Sequence, residues 1–251
     1  MKLVLLGTAG YHPSDTRQTA CLLLSELGVM FDAGTAVYRM SDYISADHVS
    51  VVKLDIFITH AHLDHVVGLT YLFDALPRDL LTEVIVHGEA DKLDAIRDVL
   101  FAELLFPVPA PFNFAPLERP VELPAGGVVK YFSLKHPGGA VGYRLDLPDR
   151  SMAYVSDTIA SLQAGYIEHI RGVDLLVHEA HFVTEDVEMI NRTGHSHVLA
   201  AAQVAAEAQV GRLVLTHLNP LLKDDDEIDL AGAQAVFADT IIGTDRMEVE
   251  F

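Results

Sequence analysis

Positive charge is scarce in this chain of 251 residues: 17 Lys and Arg stand against 36 Asp and Glu, a formal net charge of −19. Coating a polyanion takes cations to neutralise its phosphates, so this balance argues against a general DNA- or RNA-binding protein. Cysteine is almost missing as well. The lone Cys21 excludes an internal disulfide framework and a cysteine-rich zinc module, and it suits the reducing cytoplasm. Long apolar runs are absent. The first one, at 2–6, is cut short by Gly7, too brief for a signal-peptide core or a bilayer span; it reads as a first strand. What the chain does have is apolar material, 50% of its residues, enough for a core and too much for disorder as the main state. Its length is that of one large domain, taken as 1–251.

Short β-branched or Leu-rich runs predict strands at 2–6, 20–24, 29–32, 54–59, 84–86, 128–135, 142–147, 152–155, 175–177 and 213–216. Leu93, Ile96, Val99, Leu100 and Leu104 recur at helical spacing and predict a helix over 89–105. The Ala-rich stretch 200–209 predicts another, capped near Ser196. Strands dominate with helices between groups of them, an α/β pattern of two helix-covered sheets rather than a βα-repeat barrel. Residues 106–120 hold five prolines among Phe106, Phe112 and Phe114. A stiff surface connection packed by its aromatics is the stronger reading there, an apolar wall beside a site the weaker. The run Asp224, Asp225, Asp226, Glu227 reads as a solvated loop.

The chemistry concentrates in His60-Ala-His62-Leu-Asp64-His65, directly after the strand predicted at 54–59. Three imidazoles and a carboxylate so close together are costly unless something binds them. A strand-to-turn junction can splay His60 and His62 to one side and Asp64 and His65 to another, which suits two adjacent divalent metals. A loop that is His-rich by chance is the weaker reading, since His usually occurs singly. His136, Asp157 and His217 each end a predicted strand, where an α/β sheet gathers its ligands. Together these residues are enough for two metals with room for a bridging water. Imidazole plus carboxylate suits zinc, with manganese, iron or nickel as alternatives.

This ordered set resembles the metallo-β-lactamase superfamily, and within it the ribonuclease Z-like branch. Leu5-Leu6-Gly7-Thr8, Phe31-Asp32-Ala33-Gly34, Ser156-Asp157-Thr158, His178-Glu179-Ala180, Gly194-His195-Ser196 and Leu215-Thr216-His217 are similar to that branch's motifs almost from end to end. The resemblance implies a four-layer αβ/βα sandwich with a two-metal hydrolytic centre. It puts His60, His62 and His136 on one metal, Asp64, His65 and His217 on the other, and Asp157 between them. It makes Asp64 the residue that orients a metal-bridging hydroxide, Asp32 the support of the 60–65 loop, and His195 the proton donor to the leaving group.

The chain departs from that branch in three places. His181 stands where the family usually has threonine, and it reads as an exposed residue. Ribonuclease Z carries a long tRNA-clamping arm between the positions of His136 and Asp157, where here only 20 residues intervene and 147–150 reads as a hairpin turn. The segment 152–156 offers no carboxylate to partner His195. With the net charge, these departures lead to the expectation of a cytoplasmic hydrolase of small or nucleotide-derived phosphodiesters, partnered by neither extended nucleic acid nor membrane. Gly138-Gly139 and Arg144 are weighed evenly between gripping a phosphate and serving the sheet. The alternatives are a ribonuclease Z-type tRNA 3′ endonuclease, a lactone or thioester hydrolase, and last a non-catalytic metal-binding module. A homodimer is compatible with the apolar bias.

Overall fold

The computed structural model describes residues 1–46, 53–75, 83–124, 126–223 and 227–251; Asp224, Asp225 and Asp226 of the acidic run lie outside them. Contacts divide the chain into two units, Met1–Arg119 with Thr244–Glu250, and Pro120–Gly243 with Phe251.

The first unit is built on β1 (Lys2–Gly7), β2 (Cys21–Leu24), β3 (Val29–Phe31), β4 (Lys53–Phe57), β5 (Glu83–Gly88), β6 (Asn113–Pro116) and the late strand β14 (Met247–Glu250). They form one sheet in the order β14-β1-β2-β3-β4-β5-β6. Pairing is antiparallel from β14 to β3 and parallel from β3 to β6. Both faces of β2 and β3 are buried, which is why these strands read as continuous apolar runs rather than alternating ones. One face, with Leu6, Leu23, Met30, Leu54, Ile56 and Val86, packs with Val37, Met40, Leu69, Leu72 and Leu93 from the helical segments. Each fully buried Leu or Phe contributes roughly 1.5–3 kcal/mol.

The second unit repeats the plan with β7 (Val121–Glu122), β8 (Val128–Leu134), β9 (Ala140–Asp146), β10 (Ser151–Val155), β11 (Leu175–Glu179), β12 (Arg212–Thr216) and β13 (Thr240–Ile242). The order is β13-β12-β11-β10-β9-β8-β7, antiparallel from β7 to β10 and parallel from β10 to β13. β8 and β10 flank β9 antiparallel to it, so their carboxyl ends share one side with those of β11 and β12. The helix Val198–Ala208 covers this sheet; its Ala201, Ala202, Ala205 and Ala208 are fully buried, the small side chains allowing close approach.

Two expectations change. The helix predicted over 89–105 runs only through Ala90–Ala95 before a π-type turn at Ile96–Leu100, closed by Phe101 N donating to Ile96 O at 3.1 Å. The extra residue in that turn rotates Val99 and Leu104 outward, to 62% and 99% exposure. The Ala-rich helix is capped at His197, not Ser196. Ser196 Oγ instead donates to Thr158 O at 2.7 Å and accepts from Ala160 N at 2.8 Å, tethering the loop after β10. In the Pro-rich stretch, Phe106 meets Phe73 and Phe101, and Phe112 meets Phe101 and Phe114, at ring separations of 5.1–5.5 Å, as a connection packed by its aromatics should. The 147–150 hairpin forms, with Leu147 N donating to Arg150 O at 2.8 Å. Among the described residues no helix is long and apolar enough to cross a membrane.

Candidate metal centre

In the first unit the chemistry sits where β3 and β4 end. Asp32, just past β3, holds a left-handed backbone at φ 56° and is fully buried. Its Oδ1 accepts from Thr59 N at 2.8 Å and Thr59 Oγ1 at 2.9 Å, and its Oδ2 accepts from His65 Nδ1 at 2.8 Å. Asp32 therefore fixes the loop after β4 at both ends. Thr59 Oγ1 accepts from His60 Nδ1 at 3.0 Å, and the His60 ring lies 4.4 Å from that of His62 and 4.3 Å from that of His65. Asp64 Oδ2 accepts from Tyr11 N at 2.7 Å and lies 3.3 Å from His65 Nε2. The loop comes this close because Gly34 and Gly68 have no side chains. A Cβ on Gly34 would strike the Asp64 carbonyl, and one on Gly68 the Gly34 carbonyl.

In the second unit β8, β10 and β12 deliver His136, Asp157 and His217. Asp157 and His217 take left-handed backbones at φ 51° and 53°, a conformation Asp and His tolerate better than most residues and one that gathers at functional sites. The two Asp157 oxygens face different partners: Oδ1 lies 3.1 Å from His217 Nε2, and Oδ2 lies 3.6 Å from His136 Nε2. His136 Nδ1 donates to Gly194 O at 3.1 Å. In His60, His65 and His136 alike Nδ1 is tied to an oxygen, the arrangement usual in metal-bound histidine, where Nε2 would be the coordinating atom. Nitrogen and oxygen donors of this kind fit a divalent metal.

His195 joins this second group: its ligand atom and those of Asp157 and His217 lie within 4.8 Å of one another. Its carboxylate partner, missing from 152–156, comes from another strand, a correction to the expectation that none is offered. Glu179, at the end of β11 and with no solvent exposure, accepts from His195 Nδ1 at 3.1 Å. Its oxygens also accept from Thr158 N at 2.9 Å and His181 N at 3.2 Å. Burial alone would raise the Glu179 pKa, but the His195 charge and hydrogen bond outweigh it and hold the acid below its ordinary value. The signal in the sequence is the triplet His178-Glu179-Ala180 at a strand end. β11 pairs in parallel with β10, Val155 opposite His178, and so brings Glu179 beside the Asp157 loop.

The remaining candidates are framework or neighbours of the site. His178 is buried, accepting from Tyr166 OH at 2.8 Å and donating through Nδ1 to Glu179 O at 2.7 Å. His181 is not simply exposed: it stacks on His195 at 4.8 Å, and burial together with the neighbouring imidazoles pushes its pKa down to about 4. Arg144 is tied to its own unit. Its guanidinium donates to Asp146 Oδ1, His169 O and Arg171 O at 2.8–3.0 Å. Gly138 and Gly139, at φ 83° and 79°, turn the chain, Gly139 N donating to His136 O at 2.9 Å. His12 meets Pro13 O in an exposed loop.

Residues 29–218 match the β-lactamase superfamily domain. The chain is 29% identical to a ribonuclease Z of Bradyrhizobium sp. (strain ORS 278) over 301 aligned positions, covering 97% of each protein. Its fold is similar to that of the metallo-β-lactamase fold protein YhfI from Bacillus subtilis, with TM-score 0.81, 19% identity, and 100% and 99% of the two chains covered. It is also similar to human tRNase Z, short form, with TM-score 0.75, 22% identity and the same coverage. These ribonuclease relatives are named for cleaving RNA, which overturns the expectation of a small-molecule partner with extended nucleic acid excluded. Net charge describes the far field of a whole molecule, whereas a site binds through its local field; −19 speaks against an indiscriminate coat and not against an RNA enzyme. The fold is the α/β fold of the metallo-β-lactamases, and the protein is a metal-dependent hydrolase. The chain belongs to the metallo-β-lactamase superfamily, in its ribonuclease Z-like branch.

Proposed function

We propose that this protein hydrolyses phosphodiester bonds of RNA, with tRNA precursors as the substrate class, at a centre of two divalent metals. The observation that carries the reading is the pair of carboxylate-and-imidazole sets at strand ends, each oriented by hydrogen bonds to Nδ1. In this reading residues 1–251 are one domain. His60, His62 and His136 would hold one metal, Asp64, His65 and His217 the other, and Asp157 would serve both. The donor set suits zinc best. Bound metals would supply water that loses its proton near neutral pH and would polarise the phosphoryl oxygens.

The rest is done by the chain. Asp64, steadied by the Tyr11 amide, directs the attacking water toward phosphorus. His195 gives a proton to the departing oxygen, and Glu179 keeps that imidazole turned with Nδ1–H inward, so that Nε2 faces the reaction. The 301 aligned positions against 251 residues mean that the Bradyrhizobium relative has segments without counterpart here, in keeping with the short β9–β10 hairpin where a clamping arm would be. RNA is accordingly held near the cut rather than by a remote arm. Incubating metal-loaded protein with a tRNA precursor tests the reading. Cleavage that disappears with chelator and in His136→Ala supports it; intact precursor with metal bound rejects it.

A further inference from the structure

A cavity of about 870 Å3 opens in the second unit beneath β8, within the range of small-ligand pockets. Its floor is aromatic. Phe132 lies parallel to His169 at 5.1 Å and 4°, and close to parallel with Tyr166 at 6.4 Å and 17°. Tyr166 is locked by its hydroxyl on His178, while His169 is exposed. Ser161 and the Gln163 amide supply polar edges at the mouth. Two lining residues adjoin the metal centre in sequence: Lys135 precedes His136 and Thr158 follows Asp157, and the two segments are joined by Lys135 N donating to Thr158 Oγ1 at 3.2 Å. Lys135 is exposed and has no ion pair among the described residues, although acids outnumber bases more than twofold in the chain.

Flat aromatic walls, polar rim groups and one uncommitted cation suit a nucleotide: a base stacks on the rings and its phosphate meets the ammonium. We propose that this cavity is a nucleobase subsite, taking a base that flanks the scissile bond while Lys135 contacts the adjoining phosphate. The proposal rests on the RNA reading above for the identity of its ligand.

The probe is 2-aminopurine riboside 5′-monophosphate, whose fluorescence is quenched on stacking, titrated into metal-loaded protein. Two variants are compared with wild type. His169→Ala removes the exposed ring. Gly165→Phe fills the cavity from a position where an added Cβ meets nothing within 4 Å, so the fold tolerates it; circular dichroism checks that. Quenching with a Kd roughly tenfold weaker in both variants is expected from the loss of one stacking contact. An unchanged Kd in both folded variants overturns the subsite. Cleavage of short RNAs separates the two readings. RNA cleavage unaffected by either variant defeats the subsite and leaves the nuclease. Base-dependent quenching in a protein that cuts no RNA defeats the nuclease and leaves the subsite.

Discussion

Glu179 has no exposure to solvent, and both its oxygens are engaged by Thr158, His195 and His181. A buried carboxylate kept ionised in this way is costly unless its partner needs it; here the partner is His195, the imidazole proposed to supply the proton. Glu179→Gln is expected to lower kcat on RNA by about 10–100-fold, the usual loss when the support of a working histidine is removed. The loss on bis-p-nitrophenyl phosphate should be much smaller, because nitrophenolate departs without a proton. Equal losses on the two substrates would reduce Glu179 to a structural group. The cluster of His60, His62, Asp64 and His65 is legible in the sequence, because crowding three imidazoles and a carboxylate into six residues makes little physical sense without a cation to hold. Glu179 is not, because its partnership with His195 depends on β11 pairing beside β10, not on proximity along the chain. The environment of His181 is hidden for the same reason: only folding stacks it on His195.

Strands β4 and β5 carry a buried polar group that the chemistry does not use. Asp55 Oδ1 accepts from His87 Nε2 at 2.7 Å and meets Lys53 Nζ at 2.9 Å, and the His87 ring stacks on Phe57 at 4.6 Å. Burial pushes the Asp55 pKa up, but the hydrogen bonds and charges of His87 and Lys53 win, and it lies below the ordinary carboxylate value. A depressed carboxylate contributes stability above its unfolded pKa, about 3.9, and loses it as pH falls through the lower folded value. Asp55→Asn should therefore cost about 1–3 kcal/mol in urea unfolding at pH 7, with the gap to wild type narrowing below about pH 4. A gap that stays constant with pH would mean the charge plays no part. Strands of this kind are easy to foresee from their apolar runs. The π-type turn at Ile96–Leu100 is not, since the apolar spacing on either side of it reads as an uninterrupted helix.

If RNA is the substrate as proposed, the charge of −19 bears on how the molecule as a whole meets it. Many of its cations are already engaged at the surface, Lys2 with Glu248, Arg97 with Asp94 and Asp98, Lys130 with Asp146, Arg212 with Asp239. Among the described residues few remain to displace counterions, so affinity for RNA should fall only gently with salt, with a log–log slope of about −2 or shallower for two or fewer phosphates neutralised. A slope steeper than about −5 would reveal an extended basic surface and contradict this view of how RNA is held. Composition is a poor guide to partners at this scale, because a count of charges does not tell which are paired or where they lie. The most direct test of hydrolysis is the chemistry of the cut ends when a tRNA precursor is incubated with metal-loaded protein in 18O-labelled water. Attack by water predicts one hydroxyl end and one phosphate end, the label entering that phosphate, with no cleavage in chelator. A 2′,3′-cyclic phosphate, or cleavage that survives chelation, would contradict it.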